Sequence, residues 1–246
     1  MTELRATLKQ DGFAIVPNVV GGDALRQLRQ LTETIEGTPD RRVGGLRNPF
    51  DRIAGLLNAV RSTGVPDLVR SLFDEAPFVV RSILFDKNAD ANWLVRWHRD
   101  TTIAVVARVD AEGFGPWSIK EGLQHTRPPR RILERMATIR LHLDDCPENN
   151  GPLRVMLGSH ADEGVEPDES HAATCCVAAG DAVLMKPLTL HASSKATCPK
   201  RRRVLHLELS DSDLPGGLDW NERVWLDDRR DAFRAHPAPA QSRPQP

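Results

Sequence analysis

From residue 78 to residue 209 the chain is a succession of short extended segments separated by turns, with no regular helical period between them. FVVRSILF (78–85), TTIAVVARV (101–109), ATIRLHLD (137–144) and PLRVML (152–157) carry the β-branched and alternating apolar residues of strands. TCCVA (174–178), DAVLMK (181–186), LHASSKA (190–196) and RRVLHLEL (202–209) continue the series. Parallel α/β winding places a helix between successive strands, so this pattern disfavours it. A mainly β fold with flanking α is predicted: a double-stranded β-helix, the cupin-like jelly roll, with N-terminal helices packed outside.

The helices belong to the first third. Residues 3–10 read as a short helix and FAIVPNVV (13–20) as a strand with a bend at Pro17. Gly21-Gly22-Asp23 opens a helix that repeats leucine at helical spacing until Gly37, and two short helices are expected over 50–61 and 65–73. The 246 residues suffice for one large core, so residues 1–230 are expected to form a single domain. Residues 231–246 contain AHPAPAQSRPQP, which lacks apolar periodicity and is expected to be a disordered tail.

Charge and composition narrow the function. A formal net charge of −1 gives no global attraction to nucleic acid or anionic lipid, and no apolar run is long enough to span a membrane. The N-terminus scatters charges where a signal peptide needs an apolar core, so a cytoplasmic protein is expected. The four cysteines, Cys146, Cys175, Cys176 and Cys198, match no zinc spacing and are expected as reduced thiols.

Two segments hold a sharper clue. In ATIRLHLD, Ile139, Leu141 and Leu143 alternate with Thr138, Arg140, His142 and Asp144; in RRVLHLEL, Leu205, Leu207 and Leu209 alternate with Val204, His206 and Glu208. The polar faces meet solvent in one reading and line a wet cavity inside the roll in the other.

A non-haem iron(II) site takes two imidazoles and one carboxylate on one side of the metal. His-x-Asp on a strand sets both side chains on one face, about 7 Å apart along the backbone. His98-Arg99-Asp100 with His191 supplies such a set. A second His-x-Asp, His160-Ala161-Asp162, runs into a loop and is expected to bond backbone instead. Soon after His191 comes Lys200-Arg201-Arg202-Arg203. This is a solvated run in the bland reading and a carboxylate anchor in the functional one, since arginine's planar fork suits a dicarboxylate's far end. Strand parity sets Arg202 with Val204 and His206, making it the inward arginine.

LKQDGFAIVPNVV, WHRD, LDDCPENNGPLRVMLGSH, GDAVLMKPLTLHASS and RRRVLHLEL, in that order, give the chain a resemblance to the phytanoyl-CoA dioxygenase family of iron- and 2-oxoglutarate-dependent oxygenases. The resemblance implies a jelly roll, iron(II) held by His98, Asp100 and His191, and 2-oxoglutarate and O₂ as co-substrates. It further implies Arg202 and Ser193 at the co-substrate carboxylate. Arg140 stands where family members often have tryptophan, and an inward arginine there suits the co-substrate or an anionic group of the substrate. The 113–129 insert, with Trp117 and Lys120 as substrate candidates, reads as a lid or as a surface loop.

The expected function is hydroxylation of a small molecule with release of succinate and CO₂. Asp100 favours hydroxylation over halogenation, because halogenases leave that position open for chloride. A cupin-like metal enzyme that does not use 2-oxoglutarate, and a non-catalytic metal-binding jelly roll, are the alternatives. A nucleic-acid role for the basic run is the weakest reading.

Overall fold

A computed structural model describes residues 2–33 and 45–227. The N-terminal part contains α1 (Thr2–Asp11), β1 (Phe13–Val16), α2 (Gly22–Leu31), β2 (Leu46–Arg47), α3 (Pro49–Arg52), α4 (Leu56–Arg61) and α5 (Val65–Leu72). Next come β3 (Phe78–Lys87), β4 (Val95–His98), β5 (Ile103–Val105), β6 (Trp117–Lys120), β7 (Leu123–Thr126) and α6 (Arg130–Arg135). The remainder holds β8 (Ala137–His142), β9 (Leu153–Met156), β10 (Ala172–Cys175), β11 (Ala182–Met185), β12 (His191–Ser193) and β13 (Arg202–Ser210).

The strands form two antiparallel sheets that make the roll, and a third sheet beside them. The six-stranded sheet runs β1-β11-β8-β13-β3-β2, the four-stranded sheet β10-β9-β12-β4, and the small sheet β5-β7-β6. β13 is central and buried along its whole length between β8 and β3. Its alternation decides the architecture. Leu205, Leu207 and Leu209 join Ile139, Leu141 and Leu184 in the apolar face that receives α2, α4 and α5. Each of these side chains, removed from water, contributes about 1.5–3 kcal/mol. The opposite face of the same strands carries arginine, histidine and glutamate and looks into the roll.

Several sequence expectations change at their edges. The first strand stops at Val16 because Asn18 takes a left-handed backbone (φ 55°), and the helix expected over 50–61 is split at Ile53, which is extended. The expected 101–109 strand shrinks to Ile103–Val105. The 113–129 insert contains the β6–β7 hairpin in place of a plain loop. The expected continuation of α2 to Gly37 and the expected 231–246 tail lie outside the described residues. Among the described residues no helix is long and apolar enough to cross a membrane, and all four cysteines are free thiols.

Candidate metal centre

His98 and His191 come from neighbouring strands and are direct partners in the β12–β4 register. The register slips between His191 and Ser193, an irregularity of the kind that re-aims a side chain. The sequence reading set His98 and Asp100 on one strand face, but β4 ends at His98. Asp100 reaches the site from the following loop, where its amide donates to the Pro187 carbonyl at 2.9 Å. That bond ties the loop to the turn preceding His191.

The three side chains converge. Asp100 Oδ1 lies 3.8 Å from His98 Nε2, and Asp100 Oδ2 lies 3.8 Å from His191 Nε2. One ligand atom from each residue can be chosen so that all lie within 4.8 Å of one another. Each imidazole sets its Nδ1 against a backbone carbonyl, His98 on Arg96 at 2.8 Å and His191 on Thr189 at 2.9 Å. Donation from Nδ1–H leaves Nε2 with its lone pair free, the tautomer a metal requires. Burial holds His191 neutral down to about 4, against the opposing pull of Asp100. Burial alone would raise the Asp100 carboxyl, but His191, His206, His98 and Arg81 together bring it below its ordinary value. A carboxylate and two imidazoles that present Nε2 to a common point fit a divalent cation.

The cavity beside this trio lies between the two sheets of the roll. The inward face of β3 gives it Arg81, Ile83, Phe85 and Lys87, and β13 gives it Arg202, Val204, His206 and Glu208. Of the polar faces seen in the sequence, Arg140 on β8 and Val204, His206 and Glu208 on β13 line this cavity, whereas Thr138, His142 and Asp144 do not border it. Arg202 is buried, with Nη1 fixed by the Gly151 carbonyl and by Cys146 Sγ at 3.4 Å. This leaves the other nitrogens of its fork for a ligand. Its neighbours in the basic run serve the fold. Arg203 makes a two-pronged pair with Asp144 at 2.8 Å and donates to the Arg29 carbonyl of α2. Arg201 pairs with Asp86 at 2.9 Å and Glu33 at 2.7 Å.

Lys87 was not singled out from the sequence. Its ammonium donates to Ser193 Oγ at 3.2 Å and to the Trp93 carbonyl at 2.8 Å. Burial, with the nearby charges of Arg202 and Arg140, pushes it down to about 7. Ser193 and Arg140 also border the cavity. Arg140 donates to His206 Nδ1 at 3.1 Å, His206 Nε2 approaches Glu208 at 3.4 Å, and Arg81 pairs with Glu208 at 2.7 Å. This polar row crosses the sheet from β8 through β13 to β3. Burial, then the charge of Arg202, pushes Arg140 down to about 10. His142, beside these arginines, has no partner at either nitrogen among the described residues and is held neutral by burial.

The structure separates the two substrate candidates of the insert. Trp117 packs into the apolar cluster of Ile103, Val105 and Leu133 and does not border the cavity. Lys120, on the opposite face of β6, donates to Thr102 Oγ1 at 3.3 Å, two residues beyond Asp100. The second His-x-Asp stays apart from the metal centre: His160 sets Nε2 against the Lys9 carbonyl of α1 at 3.1 Å.

The family model for phytanoyl-CoA dioxygenase (PhyH) matches residues 8–204. Solved structures share the fold at low identity. The non-heme alpha-ketoglutarate-dependent carbocyclase SnoK from nogalamycin biosynthesis is 17% identical with a TM-score of 0.63, over 87% of this chain and 85% of that one. AviO1 from Streptomyces viridochromogenes Tue57 is 20% identical with a TM-score of 0.61, over 87% of this chain and 96% of that one. EctD from S. alaskensis, solved with 2-oxoglutarate and 5-hydroxyectoine, is 16% identical with a TM-score of 0.65, over 85% of this chain and 76% of that one. No curated protein sequence matches the chain.

Proposed function

The chain belongs to the phytanoyl-CoA dioxygenase family, and from that premise we propose that it is an iron(II)- and 2-oxoglutarate-dependent oxygenase that hydroxylates a small organic molecule. One observation carries the proposal. Two imidazoles with freed Nε2 atoms and one ionised carboxylate converge beside a cavity that also holds Arg202, Lys87 and Ser193. The first group suits iron(II), and the second suits the far carboxylate of a bidentate keto acid.

When bound, iron with 2-oxoglutarate and O₂ supplies the oxidising power: one oxygen atom goes to the substrate and the other to succinate, with loss of CO₂. The chain's residues supply position and environment. Arg202 anchors the co-substrate's distal carboxylate, with Lys87 adding a second cation and Ser193 a hydroxyl donor. Val204, Phe85 and Leu153 border the same cavity with apolar surface and limit water beside the reacting groups. The Asp100 carboxylate occupies the position a halide would need, which supports hydroxylation.

The test is release of labelled CO₂ from carboxyl-labelled 2-oxoglutarate, with and without iron(II). Iron-dependent release that vanishes in Asp100→Ala supports the reading. Metal binding with no keto-acid turnover under any substrate screened would return the chain to a metal jelly roll of other chemistry.

A further inference from the structure

A second cluster of cations lies where the β6–β7 hairpin meets the β2–β3 edge. Antiparallel partners share a face. The pairs Lys120↔Leu123, Ser118↔His125 and Ala104↔His125 therefore set Lys120 and His125 on one side of the small sheet. Its other side, through Ile103, Val105 and Trp117, is spent on an apolar cluster. Across from the hairpin, Arg47 is the register partner of Ile83, so it shares the cavity face of β3 with Arg81. Arg47 Nε donates to Glu121 Oε2 at 2.7 Å, which fastens the hairpin turn to β2.

These groups leave buried donors without partners. Arg47 Nη1, Arg81 Nε and His125 Nε2 are buried and unpaired among the described residues, and His125 is wholly shielded from solvent. Orphaned buried polar atoms are costly, and their convergence points to a missing ligand. Arg47 pairs with Glu121 and Arg81 with Glu208, whereas Lys120 has a hydroxyl, Thr102 Oγ1, and no carboxylate as its bonding partner among the described residues. Burial and the neighbouring charges of Arg81 and Arg47 hold the Lys120 ammonium below its ordinary value, while Asp100 and Glu208 pull the other way. The cluster therefore lies within electrostatic reach of the metal ligand.

We infer that Arg47, Arg81, Lys120 and His125 bind an anionic group, a carboxylate or a phosphate, of the primary substrate. The inference rests on the oxygenase reading for what the neighbouring metal does to that substrate. Co-substrate does not fill this site: Arg81 and Lys87 stand six residues apart on one strand, about 20 Å in extended chain. Arg81 alone of this cluster borders the cavity, on the same strand as Lys87 but well apart from it, and Arg47, Lys120 and His125 lie beyond that lining. His125 donates Nδ1–H to the Leu123 carbonyl at 3.1 Å, and an anion beside its ring favours the protonated form, whose Nε2–H then donates as well.

The experiment is calorimetric titration of phenyl phosphate, benzoate and neutral benzyl alcohol into protein carrying nickel(II) and 2-oxoglutarate. The two anions distinguish phosphate from carboxylate, and nickel avoids turnover. Lys120→Gln, an exposed position on the hairpin, is expected to weaken the preferred anion about tenfold, as loss of one charge-assisted bond does. Arg47→Gln should act in the same direction, with benzyl alcohol bound poorly throughout. Equal binding of the neutral compound, or anion affinity unchanged in both variants, overturns the inference. So does an anion that displaces 2-oxoglutarate. The same titrations without nickel and co-substrate separate the two claims. Failure of the protein to bind 2-oxoglutarate sinks the oxygenase reading, whereas anion binding that depends on Lys120 still upholds the site.

Discussion

His98 and His191 are paired across the β4–β12 ladder with ring centroids 4.2 Å apart, and each imidazole is locked by a bond from Nδ1 to a backbone carbonyl. A sheet register and two backbone bonds therefore fix the direction of both Nε2 atoms. Asp100 is held differently, by a loop bonded to the Pro187 carbonyl. Asp100→Ala is expected to weaken divalent-metal affinity by roughly 100-fold or more, beyond the 10- to 100-fold typical of an outer-shell partner. Its unfolding should stay cooperative, because the side chain takes no part in the apolar core. Metal titration beside chemical denaturation checks both halves.

Arg202 and Arg203 are adjacent but should fail in different ways. Arg202→Ala is expected to weaken 2-oxoglutarate binding about 10- to 150-fold, the worth of a charge-assisted pair of about 1.5–3 kcal/mol. Arg203→Ala leaves half-buried Asp144 with Arg29 alone, at 3.5 Å, and unties α2, so it should cost about 1.5–3 kcal/mol of stability. Co-substrate affinity in the surviving folded fraction should be normal. Reversed outcomes would exchange the two roles.

Lys87 makes the site sensitive to pH. Its folded value of about 7 lies below the ordinary 10.5, so between those values the unfolded chain holds a proton that the folded chain lacks. The stability of the metal-free protein should therefore rise with pH across that window, and Lys87→Met should remove this part of the rise. A bound dicarboxylate favours the ammonium, so 2-oxoglutarate affinity should be greatest below pH 7 and decline above it. Affinities measured across this range in wild type and Lys87→Met test the assignment; parallel profiles would refute it.

Gly151 supports Arg202 from below. It takes a left-handed backbone (φ 63°), a side chain there would meet the Ser194 carbonyl at 2.5 Å, and its own carbonyl holds the Arg202 guanidinium. Gly151→Ala should destabilise the fold by about 1–3 kcal/mol and weaken 2-oxoglutarate binding together. Loss of stability with intact co-substrate affinity would show that Arg202 is positioned without this turn.

Much of this was legible in the sequence because the ligating residue types are few and strand parity is strict. His98, Asp100 and His191 stand out by chemistry, and the inward aim of Arg202 follows from its alternation with Val204 and His206. Lys87 escaped because a lysine at the end of FVVRSILFDK reads as a surface residue. Its shared parity with Arg81, Ile83 and Phe85 was the available clue. The hairpin was hidden for another reason. WSIK and LQHT are four-residue strands of mixed polarity, and tertiary contacts through Glu121 and Thr102, beyond the reach of local pattern, place them. Once WSIK is a strand, its alternation sets Trp117 and Lys120, joined in the sequence reading, on opposite faces.

Iron(II) and 2-oxoglutarate are expected to meet at His98, Asp100 and His191. Anaerobic titration of the metal-free protein with both, monitored by the visible charge-transfer band of a metal-chelated keto acid, tests this most directly. The band should appear in wild type, be lost in His191→Ala, and need more 2-oxoglutarate to saturate in Arg202→Ala. No band at saturating iron and co-substrate, or a band that survives in His191→Ala, would contradict the account.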